Sequence, residues 1–213
     1  MPRGSDTLAA ARREEILDAC AQLYEQKPFR EITLGEIGEK TSFTRTSIYN
    51  YFRTKEEIFL ALLEREYRIW IAGLEELTKA SPLSAAAFSK RFAAALEERR
   101  CMLKLMSMNL YDMESGSRME NLVAFKRTYG ESIQAVERCL KKHFSAAAED
   151  DLQRFLSSLF PFLLGVYPYA VATEKQKEAM KIAGVRYERR TIREVVQPFV
   201  EGLVQGFRRD ALS

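Results

Sequence analysis

Between positions 41 and 55 the chain reads Thr-Ser-Phe-Thr-Arg-Thr-Ser-Ile-Tyr-Asn-Tyr-Phe-Arg-Thr-Lys. Arg45, Arg53 and Lys55 are cations, Thr and Ser hydroxyls surround them, and the first carboxylates come only at Glu56 and Glu57. The wet face of a short helix usually mixes charges of both signs, so a one-signed face needs a reason. DNA supplies one. Its phosphates repel acids, hydroxyls and amides bond phosphate oxygens or base edges, and an arginine pairs with O6 and N7 of guanine.

Such residues must sit on an element that fits the major groove. Ile16, Cys20, Leu23 and Tyr24 recur at helical steps, so the spacing predicts an amphipathic helix over 7–26, ended by Lys27-Pro28-Phe29. Thr33 and Glu36 have capping-box spacing and open a second short helix, with Leu34 and Ile37 inside. Thr44 is placed to cap a third, with Ile48, Tyr51 and Phe52 as its apolar set. Thr54 and Glu57 form a second predicted capping box, at the start of a long helix carrying Ile58, Phe59, Leu62, Tyr67, Trp70, Leu74 and Leu77. Two short helices joined by a tight turn make a helix-turn-helix.

Helical periodicity continues to the end. A helix start is expected at Ser81-Pro82, and the Ala-rich stretch 84–95 keeps Phe88, Phe92 and Leu96 in step. Further helices are expected near 101–111, 116–143, 149–172 and 187–209, with a turn at 112–117 and a polar, loop-rich stretch at 173–190. No strand alternation and no internal repeat appear. The fold class is all-α. The expected division is a reading head over 1–55 and a helical body over 56–213.

The segment Ile-Thr-Leu-Gly-Glu-Ile-Gly-Glu-Lys-Thr-Ser-Phe-Thr-Arg-Thr-Ser-Ile-Tyr-Asn-Tyr-Phe, followed by Lys55 and Glu56, resembles the DNA-binding domain of TetR-family transcriptional repressors. Thr33, Ile37, Thr44, Ile48, Tyr49, Tyr51, Phe52, Lys55, Glu56 and Ile58 stand at the family's spacing, and the likeness runs over about residues 8–65. The resemblance implies that Thr33, Thr44, Tyr49, Asn50 and Lys55 meet phosphates, and that Arg45, Thr46 and Ser47 read bases. Against this stand packing roles for Tyr49 and Tyr51 and a solvated surface charge for Arg45. Ser42 stands where the family often has a turn glycine, Gly38 where alanine is common, Thr46 for a frequent glycine and Arg53 for a frequent proline. If the turn needs positive φ, Ser42 is strained there.

By the same resemblance the protein is a homodimer on a palindromic operator of double-stranded DNA, released by a small-molecule inducer. Late apolar stripes offer a dimer face: Leu152, Phe155 and Leu159 on one helix, and Val196, Phe199, Val200 and Leu203 on the other. Their alternative is the monomer core. Trp70, Met102, Met106, Tyr111, Phe125, Tyr129, Phe162 and Tyr167 supply flexible and aromatic walls for a ligand, or ordinary core. Arg99, Arg100, Lys104 or Arg118 could meet an anionic group on that ligand.

Other classes fit less well. A net charge of +3 does not by itself indicate a nucleic-acid partner; its placement does. The single histidine, His143, reads as a cation at a helix end, and no hydrolase, nucleotide-binding or metal signature appears, so neither an enzyme nor a cofactor or metal is expected. Cys20, Cys101 and Cys139 are too widely spaced for a metal clip and read as buried reduced thiols, with a redox sensor as alternative. A protein-binding adaptor would not need an acid-free 41–55, whereas an activator of the same fold would. The N-terminus lacks the apolar run of a signal peptide, and 155–172, interrupted by Pro161 and Pro168, reads as a buried helix pair rather than a membrane span, so the cytoplasm is the expected compartment.

Overall fold

The structure, a computed structural model, describes residues 3–207, with side chains from Thr7 onward except that of Arg45. Among the described residues there is no strand, and the all-α expectation holds. The helices are α1 (Arg3–Gln26), α2 (Leu34–Glu39), α3 (Arg45–Ile48), α4 (Lys55–Lys79), α5 (Ala85–Glu97), α6 (Arg100–Ser115), α7 (Met119–His143), α8 (Glu149–Ala170), α9 (Glu174–Ile182) and α10 (Ile192–Gln205).

Contacts divide the chain into two compact units. One is the chain through Glu66 together with Asn109–Thr128; the other is Tyr67–Met108 with the chain from Tyr129 onward. The expected reading head lies inside the first unit. That unit also takes in the start of α4, the end of α6 and the start of α7.

The first unit is built around apolar residues that periodicity had marked. Ile16, Cys20, Ile37, Ile48, Ile58, Phe59 and Leu62 have no exposed surface. Phe59 receives the edges of Tyr24 and Phe29, with ring centres 5.2 and 4.7 Å away. Tyr24 donates its hydroxyl to Asn109 on α6 at 2.8 Å, satisfying the one polar atom this ring carries inward.

A carboxylate lies fully buried in the same unit. Glu57 does not complete the expected capping box. Its N–H does donate to Thr54 Oγ1 at 3.2 Å, but its side chain turns away to accept from the Arg53 N–H at 2.8 Å. The same carboxylate accepts from Arg118 Nε at 2.5 Å and Nη2 at 3.1 Å. Burial alone would raise this carboxyl, but the bonds from the Arg118 side chain and from the Arg53 and Arg118 N–H groups, with the Arg118 charge, hold it below the ordinary carboxylate range. Arg118 is thus bound to Glu57 and Glu120 rather than offered to a ligand. Beside it, Thr54 donates to Gly116 O at 3.1 Å. A Cβ on Gly116 would lie 2.5 Å from Glu56 Cγ and 2.8 Å from its Cβ, so only glycine fits.

In the second unit α10 packs on α5 and α8. Its aromatic core sets Trp70 6.2 Å from both Phe92 and Phe160, with Phe155 edge-on to Phe92. His143 ends α7 as expected, but it is buried. Its Nε2 lies 3.1 Å from Leu77 O, where only a protonated nitrogen serves, and burial pushes its pKa down, so the ring is neutral. α8 is one helix running through Pro161 and Pro168, not a pair. Among the described residues no single helix is long and apolar enough to cross a membrane.

Local starts differ elsewhere too, as at α10, which begins at Ile192 after its Thr191 cap rather than near 187. α5 begins at Ala85, where Ser84 accepts from the Ala87 N–H, rather than at Ser81-Pro82. The expected loop at 173–190 contains α9, fixed by a capping box in which Thr173 accepts from Gln176 N and Gln176 from Thr173 N. Gln can close that box as Glu does. Residues 208–209 of the last expected helix lie outside the described residues.

Two outcomes follow. Arg118→Ala leaves a buried carboxylate without its counter-charge and should cost about 3 kcal/mol at neutral pH in urea unfolding. Because the folded Glu57 pKa is depressed, its contribution is present above the unfolded value and lost as pH falls through the folded one. The deficit of the variant should therefore shrink as the pH is taken below about 4. Gly116→Ala should cost about 1–3 kcal/mol by overpacking against Glu56, seen as a lowered Tm.

Candidate nucleic-acid interface

The sequence builds this surface from very short pieces. Thr33 caps α2 with a complete box: its hydroxyl accepts from Glu36 N at 3.2 Å, and Glu36 accepts from Thr33 N at 3.0 Å. The hydroxyl also donates to Glu36 Oε2 at 3.2 Å, so it must leave that carboxylate to reach a phosphate. Lys27 pairs with the same Glu36 at 2.5 Å, and the bond and charge of the lysine lower the carboxyl pKa.

The turn follows at Thr41-Ser42-Phe43. Thr41 Oγ1 donates to Gly38 O at 2.8 Å. Ser42 does not need the conformation of the glycine it replaces, since among the described residues only Gly184 has positive φ. The Ser42 N–H donates to Glu15 on α1, and its hydroxyl donates to the same carboxylate at 3.0 Å. These bonds anchor the turn to α1.

α3 is a single turn. Its N-cap, Thr44, has extended backbone and accepts from Ser47 N through its carbonyl at 2.8 Å. The expected side-chain cap is absent. Thr44 Oγ1 instead shares hydrogen bonds with Thr46 Oγ1 at 3.1 Å and Ser47 Oγ at 3.0 Å. That hydroxyl cluster lies on the outer side, with Thr44 and Thr46 exposed and Ser47 half-buried. The Arg45 side chain is outside the described residues. On the inner side Ile48 and Phe52 are buried, and Tyr51 is half-buried near Phe43, with centres 6.4 Å apart.

Tyr49 is not a core residue: it is 50% exposed, unlike Phe52 at 1%. It shares one shallow hollow with Arg30, Thr33, Thr54, Lys55 and the acidic Glu56. Three of the residues expected to meet phosphates thus face one place, and exposed Asn50 follows Tyr49. Lys55 has a second role. Its Nζ donates to Phe29 O at 2.9 Å and Ile32 O at 3.1 Å and sits 4.5 Å from the centre of the Phe29 ring. An ammonium has three N–H donors, so one stays available.

Some cations were not singled out from the sequence. Arg30 lines the hollow. Arg13 lies 4.5 Å over the Phe52 ring, and Arg12 5.4 Å over Phe43, which ties α1 to the recognition turn. Glu14 and Glu15 follow Arg12 and Arg13 directly, and Glu31 follows Arg30, so no one-signed run marked any of the three.

The other expected sites fare differently. Trp70, Met102 and Met106 are buried in the core of the second unit, where Tyr67 donates to Met106 Sδ at 3.3 Å and Tyr129 meets Phe160 at 5.4 Å. Tyr111 is 88% exposed, and Phe125 is buried in the other unit. Phe162 stacks on Phe199 at 3.7 Å, and Tyr167 lies under Arg100 at 5.8 Å. These eight are divided between the two units. Of the expected dimer residues, Leu152, Phe155, Leu159, Val196 and Val200 are buried within the protomer and have no surface left to give a partner. Phe199 and Leu203 keep part of theirs, alongside Phe162, Leu164, Gly165 and Gly202.

Residues 16–62 match the model of bacterial regulatory proteins of the tetR family, and residues 64–211 match that of the tetracyclin repressor-like C-terminal domain. The chain belongs to the TetR family of transcriptional regulators. It is similar to FadR from Bacillus halodurans, with a TM-score of 0.61 at 14% identity over 93% of this chain and 97% of that one. A TetR-family regulator from Mesorhizobium loti gives 0.60 at 18% over 93% and 95%. At such identities the likeness is one of fold. RutR of Escherichia coli K12 is 30% identical over 77 residues, 36% of either chain, and NemR of the same strain 37% over 65 residues, 30% of this chain and 33% of NemR. The aligned stretch therefore spans about a third of these curated relatives.

Lys55→Ala should weaken binding to specific and random duplexes alike and reduce the salt slope by about one unit. It should also lower Tm, since Phe29 O and Ile32 O lose their donor. Anisotropy titrations over a salt series, with thermal unfolding, measure both.

Proposed function

We propose that the protein is a homodimeric repressor that holds a palindromic operator through α3 and lets go when a small molecule binds its C-terminal domain. The observation that carries this reading is the outer side of α3 and its flanks. Thr44, Thr46, Tyr49 and Asn50 are exposed there, next to a hollow containing Arg30 and Lys55. Arg45, Thr46 and Ser47 then read base edges, while Thr33, Thr44, Tyr49, Asn50 and Lys55 position the helix on phosphates.

One α3 spans only a few base pairs, so specificity requires two, at half-sites about one or more helical turns apart. The half-buried Phe162, Phe199 and Leu203 support α8 and α10 as the mutual face. Gly165 and Gly202 on it have nothing within 4 Å of where a Cβ would stand, so a partner helix can come close. A relative, FadR from Bacillus subtilis, was solved in complex with stearoyl-CoA, which supports a small organic inducer as the class of signal. The inducer must bind the released state more tightly than the DNA-bound one, since equal affinity shifts nothing. Such a regulator works beside DNA in the cytoplasm.

Arg45→Ala should lose about 1–3 kcal/mol on the operator and relax preference at one base pair per half-site. An equal loss on random duplex would contradict its role as a reader. Leu203→Glu should sediment as a monomer and bind the operator far more weakly, while keeping its helical circular dichroism.

A further inference from the structure

A cavity of about 750 Å³ opens in the second unit between the end of α8, one side of α9, the 185–190 segment and the first turns of α10. None of the residues expected to hold a ligand lines it. Its size falls in the range of small-molecule sites.

The walls are fixed by sequence. α9 starts on the Thr173–Gln176 capping box and ends in a left-handed Gly184 at φ 68°. There Val185 N donates to Met180 O at 2.9 Å and Gly184 N to Lys181 O at 3.2 Å, the pattern of a Schellman closure. That closure folds Val185 back toward Met180, and both line the cavity. Yet α9 buries none of its side chains. A nine-residue helix with no buried face is marginal without something against it.

The lip is charged. Arg186 Nη2 lies 3.1 Å and Arg190 Nη2 3.5 Å from the two oxygens of one carboxylate, Glu188. The other lining acid, Glu194, is held in a capping box by Thr191 N at 2.7 Å. Arg186 and Arg190 thus share Glu188, and Arg190 also acts on Glu194, beside Tyr187 and the apolar lining of Met180, Val185 and Val195. We infer that this cavity binds an amphipathic organic anion, its apolar body against α8 and α9 and its acidic head on Arg186 and Arg190. A guanidinium fork matches such a head in a bidentate manner. This site is separate from the aromatic core around Trp70.

The full-length protein, without DNA, is titrated with the fluorescent sulfonate 1-anilinonaphthalene-8-sulfonate and with its uncharged analogue N-phenyl-1-naphthylamine. Binding needs no operator, so the result stands apart from the repressor reading. The sulfonate should saturate at one site per protomer. The double variant R186Q/R190Q should weaken the sulfonate by about tenfold and leave the neutral probe unchanged. Ala179→Trp, at an exposed position of α9, should reduce both probes by at least about tenfold with circular dichroism intact. Binding unmoved by Ala179→Trp would overturn the proposal, as would equal loss of both probes in the arginine variant. So would affinity that falls as protein concentration rises through the dimerisation range, which would mean a second copy covers the cavity.

Discussion

The buried carboxylate of Glu57 is the constraint on which the reading head depends. A charge without exposed surface is tolerated only when it is paired and its lone pairs are filled. Arg118 and the Arg53 N–H do both. The bond to Arg53 fixes the last residues before α4, three positions beyond Asn50. The bond to Arg118 fixes the same point to the start of α7. Gly116 lets the chain pass close against Glu56 beside that pair. The position of α3 is thus set partly by Arg118, 61 places beyond Glu57.

This matters because α2 and α3, of six and four residues, are too short to persist alone. Their stability is borrowed from neighbours on each side. Glu15 of α1 holds the turn through Ser42, Arg13 covers Phe52, and Lys55 of α4 closes the carbonyls of Phe29 and Ile32. With the inner side so anchored, the outer side can be given over to hydroxyls and cations that contribute little to packing.

Helices and inward faces were legible because period and size record them: Ile48, Phe52, Ile58 and Trp70 are buried where spacing put them. Exposed residues were legible where polarity broke the usual mixture, as at Tyr49. Less readable was any role set by a distant partner. Glu57 had the spacing of a local cap, but Arg118 claimed its carboxylate. His143 had the position of a helix-end cation, but Leu77 O and burial made it neutral. A stripe at helical spacing also looks the same whether it faces its own core or a second protomer, which is why Leu152, Phe155 and Val196 were assigned outward. α9 was obscured by its polar composition, and its Thr173–Gln176 box was the cue that could have revealed it.

The central claim is that the outer side of α3 lies on duplex DNA. Selection of bound sequences from a random duplex pool by the purified protein measures it most directly. The account predicts enrichment of an inverted repeat whose affinity drops steeply with added salt. Recovery of no preferred sequence, with no retention of any duplex at low ionic strength, would contradict it.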